Sequence, residues 1–152
     1  LGEVIVVTGA DRERIRTALA GYPVRFIHNP AYEEGMGSSL KEGVRSAAAG
    51  GVGVCLADMP FIGAVTITEL GKVLAAHSGS IVVPVFEGRR GHPVFFSEQF
   101  RADLLELEGD EGARRVLTRH PNAVVEVRTE DRGIMQDIDT QADIDLLQSG
   151  GV

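Results

Sequence analysis

The stretch Val52-Gly53-Val54-Cys55-Leu56-Ala57-Asp58-Met59-Pro60 decides how this chain of 152 residues folds. It begins as a short apolar run bounded by turn residues, which is typical of a strand buried on both faces of a parallel sheet. Pro60 ends the strand because it has no N–H to donate to a ladder. Ligands of open α/β sheets bind beyond the carboxyl ends of strands. The stretch therefore predicts a strand that delivers Asp58 to a ligand-binding edge. A carboxylate that caps the next helix or turn is an equally good interpretation.

The composition is that of one ordinary soluble globular domain, with 43% apolar and 24% charged residues. A net charge of -7 argues against binding to nucleic acid or to an anionic membrane surface. It leaves phosphorylated ligands open, because divalent cations bridge carboxylates and phosphates. The single cysteine, Cys55, is interpreted as a small core residue without a disulfide. No apolar run is long enough to span a bilayer and no signal peptide is visible, so a cytoplasmic location is expected.

The other patterns alternate between strands and helices, which predicts one α/β unit over 1–152 with a parallel sheet and right-handed crossovers. After the fourth predicted strand, the chain makes a hairpin or excursion with a basic, Gly-rich tip before a short strand at 94–96. The further predicted strands are 4–9, 24–28, 80–85 and 123–127, and the predicted helices are 12–19, 38–49, 66–76, 98–107 and 112–119.

Three acidic residues form a candidate metal site. Asp137 and Asp139 lie on the same side of an extended segment, because side chains alternate with a period of two. If this segment ends beside the strand that carries Asp58, then Asp58 and Asp139 can hold one Mg²⁺, which needs few carboxylates. The alternative is that both acids of the segment are solvated, or that Asp139 helps to cap the last helix.

Two further segments have features of ligand sites. The loop Gly35–Ser39 enters a helix N-terminus, which suits an anion, a ribose or a base edge, although turning and capping explain the same residues. It lacks the Gly-Lys-Ser/Thr ending of a phosphate-binding P-loop. The segment Arg89–Pro93 concentrates positive charge on a turn, where arginines either meet substrate phosphates or form a solvated tip. The flanking glycines and the apolar residues that follow favour a tip held against the domain.

Six motifs, in order along nearly the whole chain, resemble those of the molybdenum cofactor cytidylyltransferases and their relatives in the nucleotidyltransferase superfamily. The motifs are Asn29-Pro30 with Tyr32, then Glu34–Leu40, Leu56–Pro60, Arg90–Pro93, Gly109–Arg114 and Asp137–Thr140. Guanylyltransferase relatives typically have a Gly-Pro-Leu-Ala-Gly type of sequence where this chain has Gly35–Ser39. The resemblance therefore favours the cytidylyl branch.

The resemblance implies a three-layer αβα fold with a mostly parallel, Rossmann-like sheet of the nucleotide-diphospho-sugar transferase type. It implies transfer of CMP from CTP to molybdopterin bearing molybdenum, with release of pyrophosphate. The residues implied fall into three groups: Asp58 and Asp139 bind Mg²⁺ with support from Asp137; Gly37, Ser38 and Ser39 lie against the base and ribose; and Arg90, Gly91 and His92 face the second substrate.

One departure from the family pattern concerns the N-terminus. Family members begin with a strand and a Gly-rich loop of the Leu-Ala-Ala-Gly-x-Ser-x-Arg-Met-Gly type, followed by a lysine, and nothing here matches that loop. We therefore expect an N-terminally truncated domain that lacks its first βα unit, exposes two ladder edges, and by itself transfers no cytidylyl group. The alternatives are a guanylyltransferase that uses GTP, another nucleotidyltransferase of the superfamily, or a degenerate, non-catalytic carrier or chaperone for a molybdenum enzyme.

Overall fold

The computed structural model describes residues 2–138 and 140. Strands and helices alternate as expected over the first half of the chain. The strands are β1 (Val4–Thr8), β2 (Val24–His28), β3 (Val52–Val54), β4 (Ile81–Phe86), β5 (Arg89–Arg90), β6 (Val94–Phe96) and β7 (Val124–Arg128). The helices are α1 (Arg12–Ala18), α2 (Met36–Ser46), α3 (Ala64–Ala76), α4 (Arg101–Leu105) and α5 (Arg114–Arg119). A 3₁₀ turn at Arg132–Met135 follows β7.

The larger sheet is mixed, and not mostly parallel as the sequence suggested. Strand β6 lies between β3 and β4 and is antiparallel to both, and β5 is antiparallel to β4, whereas β7 runs parallel to β4. Strands β3 and β4 consequently run in the same direction, as the helical crossover through α3 requires. The antiparallel strand arises because the chain turns back after β4 through a short excursion, and the returning strand β6 inserts between β3 and β4.

Helices cover both faces of this sheet. On one face, buried side chains from α2, α4, α5 and their connections pack on β4 and β6: Val44, Leu104, Leu107, Val116 and Leu117 with Ile81, Val83, Val94 and Phe96. On the other face, Leu70 of α3 packs on Val82 and Phe95. Because side chains alternate along a strand, β4 contributes to both clusters and lies at the centre of the domain.

Strands β1 and β2 form a separate parallel pair, in register from Val4 with Val24 to Thr8 with His28. Helix α2 covers this pair as well, since a Cβ on Gly43 would lie 3.2 Å from the side chain of Val7. In the part of the chain that the structure describes, β1 pairs only with β2 and β3 only with β6, so each has one unpaired edge.

The interpretation of Val52–Val54 as a strand buried on both faces, with Cys55 in the core, is wrong. Val52 and Val54 pack on the core cluster, but Gly53 and Cys55 are exposed. The physical reason is that β3 is an edge strand whose second face is left partly uncovered. Over residues 2–138, no helix is both long and apolar enough to cross a membrane.

Candidate active site

The loop after β3 presents Asp58 at the carboxyl end of the strand. The Met59 side chain is 8% exposed and anchors the loop, and its N–H donates to the Leu56 carbonyl at 3.4 Å. Asp58 itself is exposed. Alternation between the buried Met59 and the exposed Asp58 therefore turns the carboxylate towards solvent while its backbone stays fixed.

A backbone hydrogen bond joins this loop to the segment that follows the 3₁₀ turn. The Ile138 N–H donates to the Asp58 carbonyl at 2.7 Å. The two stretches are 80 residues apart in sequence, and this bond sets them side by side at the edge of the sheet. Asp137, which immediately precedes Ile138, is exposed. Asp139, the second metal ligand suggested by the sequence, lies outside the described residues.

His92 lies within electrostatic reach of Asp58. Burial lowers the pKa of His92, and the negative charge of Asp58 works in the opposite direction. The imidazole is therefore neutral near pH 7. Its Nδ1 atom is buried and has no hydrogen-bond partner within the described part of the chain. A buried nitrogen without a partner is uncommon in folded proteins, which makes His92 a candidate for a functional role.

Arg90 and Gly91, the neighbours of His92, have different surroundings. The Arg90 Nε atom donates to Oε1 of Glu126 on β7 at 2.7 Å, and both side chains are about half exposed. Gly91 is packed so tightly that a Cβ there would lie 2.2 Å from the carbonyl oxygen of Ile134. The His92 N–H donates to the same carbonyl at 3.1 Å. Gly91 and His92 are thus held against the turn that leads to Ile138, whereas Arg89 and Arg90 are exposed.

Asp131 is the residue of this region that sequence reasoning missed. Its Oδ2 atom accepts from the Gly63 N–H at 2.8 Å and from the Thr66 hydroxyl at 2.6 Å, and Oδ1 accepts from the Gly133 N–H at 2.9 Å. Burial pushes the pKa of Asp131 up, but these hydrogen bonds outweigh burial and lower it. An Asp two residues before a Gly is a turn signal, so the local bond was foreseeable, whereas the bonds to α3 were not.

The loop Gly35–Ser39 belongs to a second cluster. The Gly37 N–H donates to the Gly109 carbonyl at 2.9 Å, so one free donor of the α2 N-terminus is already satisfied. The side-chain amide of Asn29, which is 1% exposed, donates to the hydroxyl oxygens of Ser38 at 2.8 Å and Ser39 at 3.0 Å. Three of the six motifs therefore meet here: the loop, the Asn29 turn and the Gly109 turn.

Gly35 requires its glycine. Its φ of 104° lies in the region that L side chains rarely adopt, and a Cβ would lie 2.5 Å from the Gly109 carbonyl. The Ser38 hydroxyl lies 2.9 Å from the carbonyl oxygens of both Ala31 and Gly35. The polar groups of the loop are thus tied to each other, and the loop has a fixed shape before any ligand binds.

The donors at the Asp58 edge fit a hard divalent cation. Mg²⁺ takes oxygen ligands, uses one or two carboxylates and keeps several waters. Asp58 supplies one exposed carboxylate, and the bond to Ile138 brings a second acidic segment beside it. Over residues 2–138 and 140, no three His, Cys, Asp or Glu side chains are grouped as a metal cage.

With this fold and this edge, the chain belongs to the family of MobA-like NTP transferase domains, which matches residues 1–124. Three curated relatives are similar in sequence. The purine catabolism protein PucB of Bacillus subtilis is 34% identical over 76% of this chain and 57% of its own length. Nicotine blue oxidoreductase of Paenarthrobacter nicotinovorans is 29% identical, and the molybdenum cofactor cytidylyltransferase of Escherichia coli is 26% identical. These two matches cover 91% and 92% of this chain and 71% of each relative.

Solved structures share the fold. Rv0371c from Mycobacterium tuberculosis in complex with manganese has a TM-score of 0.79 and 23% identity, over 98% of this chain and 79% of that one. A nucleotidyl transferase from Methanothermobacter has a TM-score of 0.77 and 20% identity, over 99% of this chain and 73% of that one. The fold is therefore of the nucleotidyltransferase type. The chain spans only 57% of the length of PucB, so the reaction of the whole protein is a matter of proposal.

Proposed function

We propose that the protein is a nucleotidyltransferase that transfers CMP from CTP to the phosphate of molybdopterin bearing molybdenum and releases pyrophosphate. The observation that carries the proposal is the hydrogen bond from Ile138 to Asp58, because it sets two carboxylate-bearing segments together in a MobA-like domain. The edge lies at the carboxyl end of β3, where ligands of α/β sheets bind.

Asp58 and Asp139 are the proposed ligands of one divalent cation, Mg²⁺ or Mn²⁺, and Asp137 supports them. When bound, the cation neutralises charge on the transferred phosphate and on the leaving pyrophosphate. The bond to Ile138 at 2.7 Å fixes the backbone from which the Asp58 carboxylate extends. The acceptor phosphate is already ionised near neutral pH, so the proposed mechanism needs no dedicated general base.

Arg90, Gly91 and His92 are proposed to face the acceptor. Gly91 leaves no room for a side chain, and His92 offers a neutral ring within electrostatic reach of Asp58. A neutral imidazole donates a hydrogen bond to a phosphate oxygen without adding a positive charge next to the cation. Gly37 and the two serines that follow it are proposed to lie against the base and ribose, in a loop whose shape is already fixed.

A further strand is proposed between β1 and β3. Their unpaired edges and their shared cover, α2, support this arrangement, which joins the two sheets into one. The loop after such a strand is the proposed cradle of the triphosphate, and the activity is proposed for a protein that carries it.

The identity of the acceptor has alternatives, because the relatives carry names as different as cytidylyltransferase, purine catabolism protein and nicotine blue oxidoreductase. The test is to incubate the full-length gene product with molybdopterin bearing molybdenum, a divalent cation, and either CTP or GTP. Pyrophosphate and the dinucleotide product are then measured. Turnover of CTP supports the proposal, and turnover of GTP alone makes the protein a guanylyltransferase. No turnover of either nucleotide favours a non-catalytic carrier that works with a molybdenum enzyme or its chaperone.

A further inference from the structure

Two segments of the candidate active site meet at the turn Arg132–Met135. Gly133 is buried, and a Cβ there would lie 2.2 Å from the Phe61 carbonyl oxygen, just beyond the Asp58 loop. On the other side of the turn, the Ile134 carbonyl meets Gly91 and accepts from the His92 N–H. The turn therefore separates the Asp58 loop from the basic tip and sets the distance between them.

Asp131 fixes this turn to helix α3. One carboxylate oxygen accepts hydrogen bonds from the Gly63 N–H and the Thr66 hydroxyl at the start of α3. The other oxygen accepts one from the Gly133 N–H inside the turn. Gly63, the residue that precedes α3, has no side chain with which to cap the helix. The carboxylate of Asp131, which is 65 residues after Thr66 in the chain, caps the helix instead. Its negative charge is also stabilised by the dipole of α3.

We propose that Asp131 is the positioning residue of the candidate active site, and that its two-sided carboxylate holds the segment ending at Ile138 in register with Asp58. The inference rests on the proposed function in one respect. The position of the Ile138 segment beside Asp58 matters only if the acidic residues of the two segments act together. The geometry of the inference comes from the observed contacts of the Asp131 carboxylate. Asp131 touches neither substrate nor cation in this scheme, and it acts through the turn.

The carboxylate is needed because both oxygens accept. An asparagine has one carbonyl oxygen, and its NH₂ group cannot accept from a backbone N–H. In Asp131→Asn, the amide oxygen can serve α3 while the NH₂ faces the Gly133 N–H, or the reverse. In either orientation, the side chain loses its hydrogen bonds either to α3 or to the turn. Thr66→Val is a milder change, because it removes a single donor from a residue that is 8% exposed and leaves the charge in place.

The experiment compares amide hydrogen exchange, residue by residue, in the wild type, Asp131→Asn, Thr66→Val and the control Asp11→Asn, which changes an exposed carboxylate just before α1. In Asp131→Asn we expect the Ile138 amide to exchange at least about tenfold faster, while amides of the central strand β4 stay within about twofold. Thr66→Val is expected to accelerate Ile138 by about two- to threefold. Asp11→Asn should leave Ile138 as in the wild type.

Unchanged protection of Ile138 in Asp131→Asn overturns the inference. If Asp131→Asn loses protection in β4 as well, the domain has unfolded. The comparison of Thr66→Val with the wild type then tests the inference. Faster exchange at Ile138 in Thr66→Val supports the positioning role of Asp131, and exchange at the wild-type rate refutes it. In an active full-length protein, Asp131→Asn is further expected to raise the Mg²⁺ concentration for half-maximal pyrophosphate release, with kcat largely kept at saturating cation. An unchanged requirement for cation overturns the positioning role. If the wild type releases no pyrophosphate, the proposed function fails while the exchange comparison still stands.

Discussion

Replacing Arg101 should destabilise the whole domain through the end of α2. The last carbonyl groups of a helix have no partner within the helix. Arg101, at the start of α4, donates to the Val44 carbonyl in the last turn of α2, and to the carbonyls of Ala47 at 2.6 Å and Ala48 at 3.2 Å just after the helix. The guanidinium thus joins two helices that pack on the same core cluster, and its positive charge opposes the negative end of the α2 dipole.

The expected loss follows from these contacts. A hydrogen bond to a charged group contributes about 1.5–3 kcal/mol, but three bonds to one half-buried group do not add. Arg101→Met keeps the apolar stem and removes the donors, so we expect a loss of about 2–4 kcal/mol in the free energy of unfolding. For a domain of this size, that corresponds to a fall in Tm of about 4–16 °C. Arg101→Lys keeps the charge but not the planar fork, and it should recover about half of the loss.

Urea unfolding followed by circular dichroism measures the change, with Arg14→Met as a matched control. Arg14 has an 86% exposed side chain and lies 4.0 Å from Asp11, so its loss should cost less than about 0.5 kcal/mol. If Arg101→Met costs no more than Arg14→Met, the bonds to the end of α2 contribute nothing to stability and the reasoning is refuted.

Four further outcomes are expected. Asp58→Asn in the full-length protein should lower pyrophosphate release from CTP by about a hundredfold or more without lowering Tm, because the carboxylate is exposed; unchanged activity removes Asp58 from cation binding. Gly91→Ala should destabilise the fold by about 1–3 kcal/mol, measured by urea unfolding, because its Cβ would lie 2.2 Å from the Ile134 carbonyl oxygen. The pKa of Asp131 is below its ordinary value of 3.8, so its contribution to stability is complete well above pH 3.8 and is lost as the pH falls through 3.8 towards the folded-state pKa. Asp131→Asn should therefore flatten the acid limb of a plot of unfolding free energy against pH, and an unaltered limb would exclude this role. Val4→Lys, at a position 54% exposed on the open edge of β1, should reduce self-association of residues 1–152 in sedimentation experiments, whereas unchanged association would show that this edge does not pair.

Local patterns predicted most of the elements but not their ends. The stretch that begins at Val52 predicted a strand followed by a turn that carries Asp58. The turn is present, although the strand ends at Val54. The predicted helix over 98–107 is a 3₁₀ turn at Glu98–Phe100 followed by α4, which ends at Leu105, because tertiary contacts set both ends of a short helix. The direction of β6 was open, since a three-residue apolar run reads the same in both directions.

The sequence by itself determined the order of strands and helices, the acidic turn after β3 and the glycine-rich loop before α2, because apolar periodicity, proline and glycine act on the nearest few residues. Only the tertiary structure decided that β6 inserts antiparallel, that β1 and β3 each have an unpaired edge among the described residues, and that Asp131 joins α3 to the turn before Ile138. These features depend on contacts between residues that are distant in sequence, such as Val52 with Phe96 and Ile138 with Asp58. Such contacts are fixed by how the layers pack around β4, and no local pattern of residues encodes that packing.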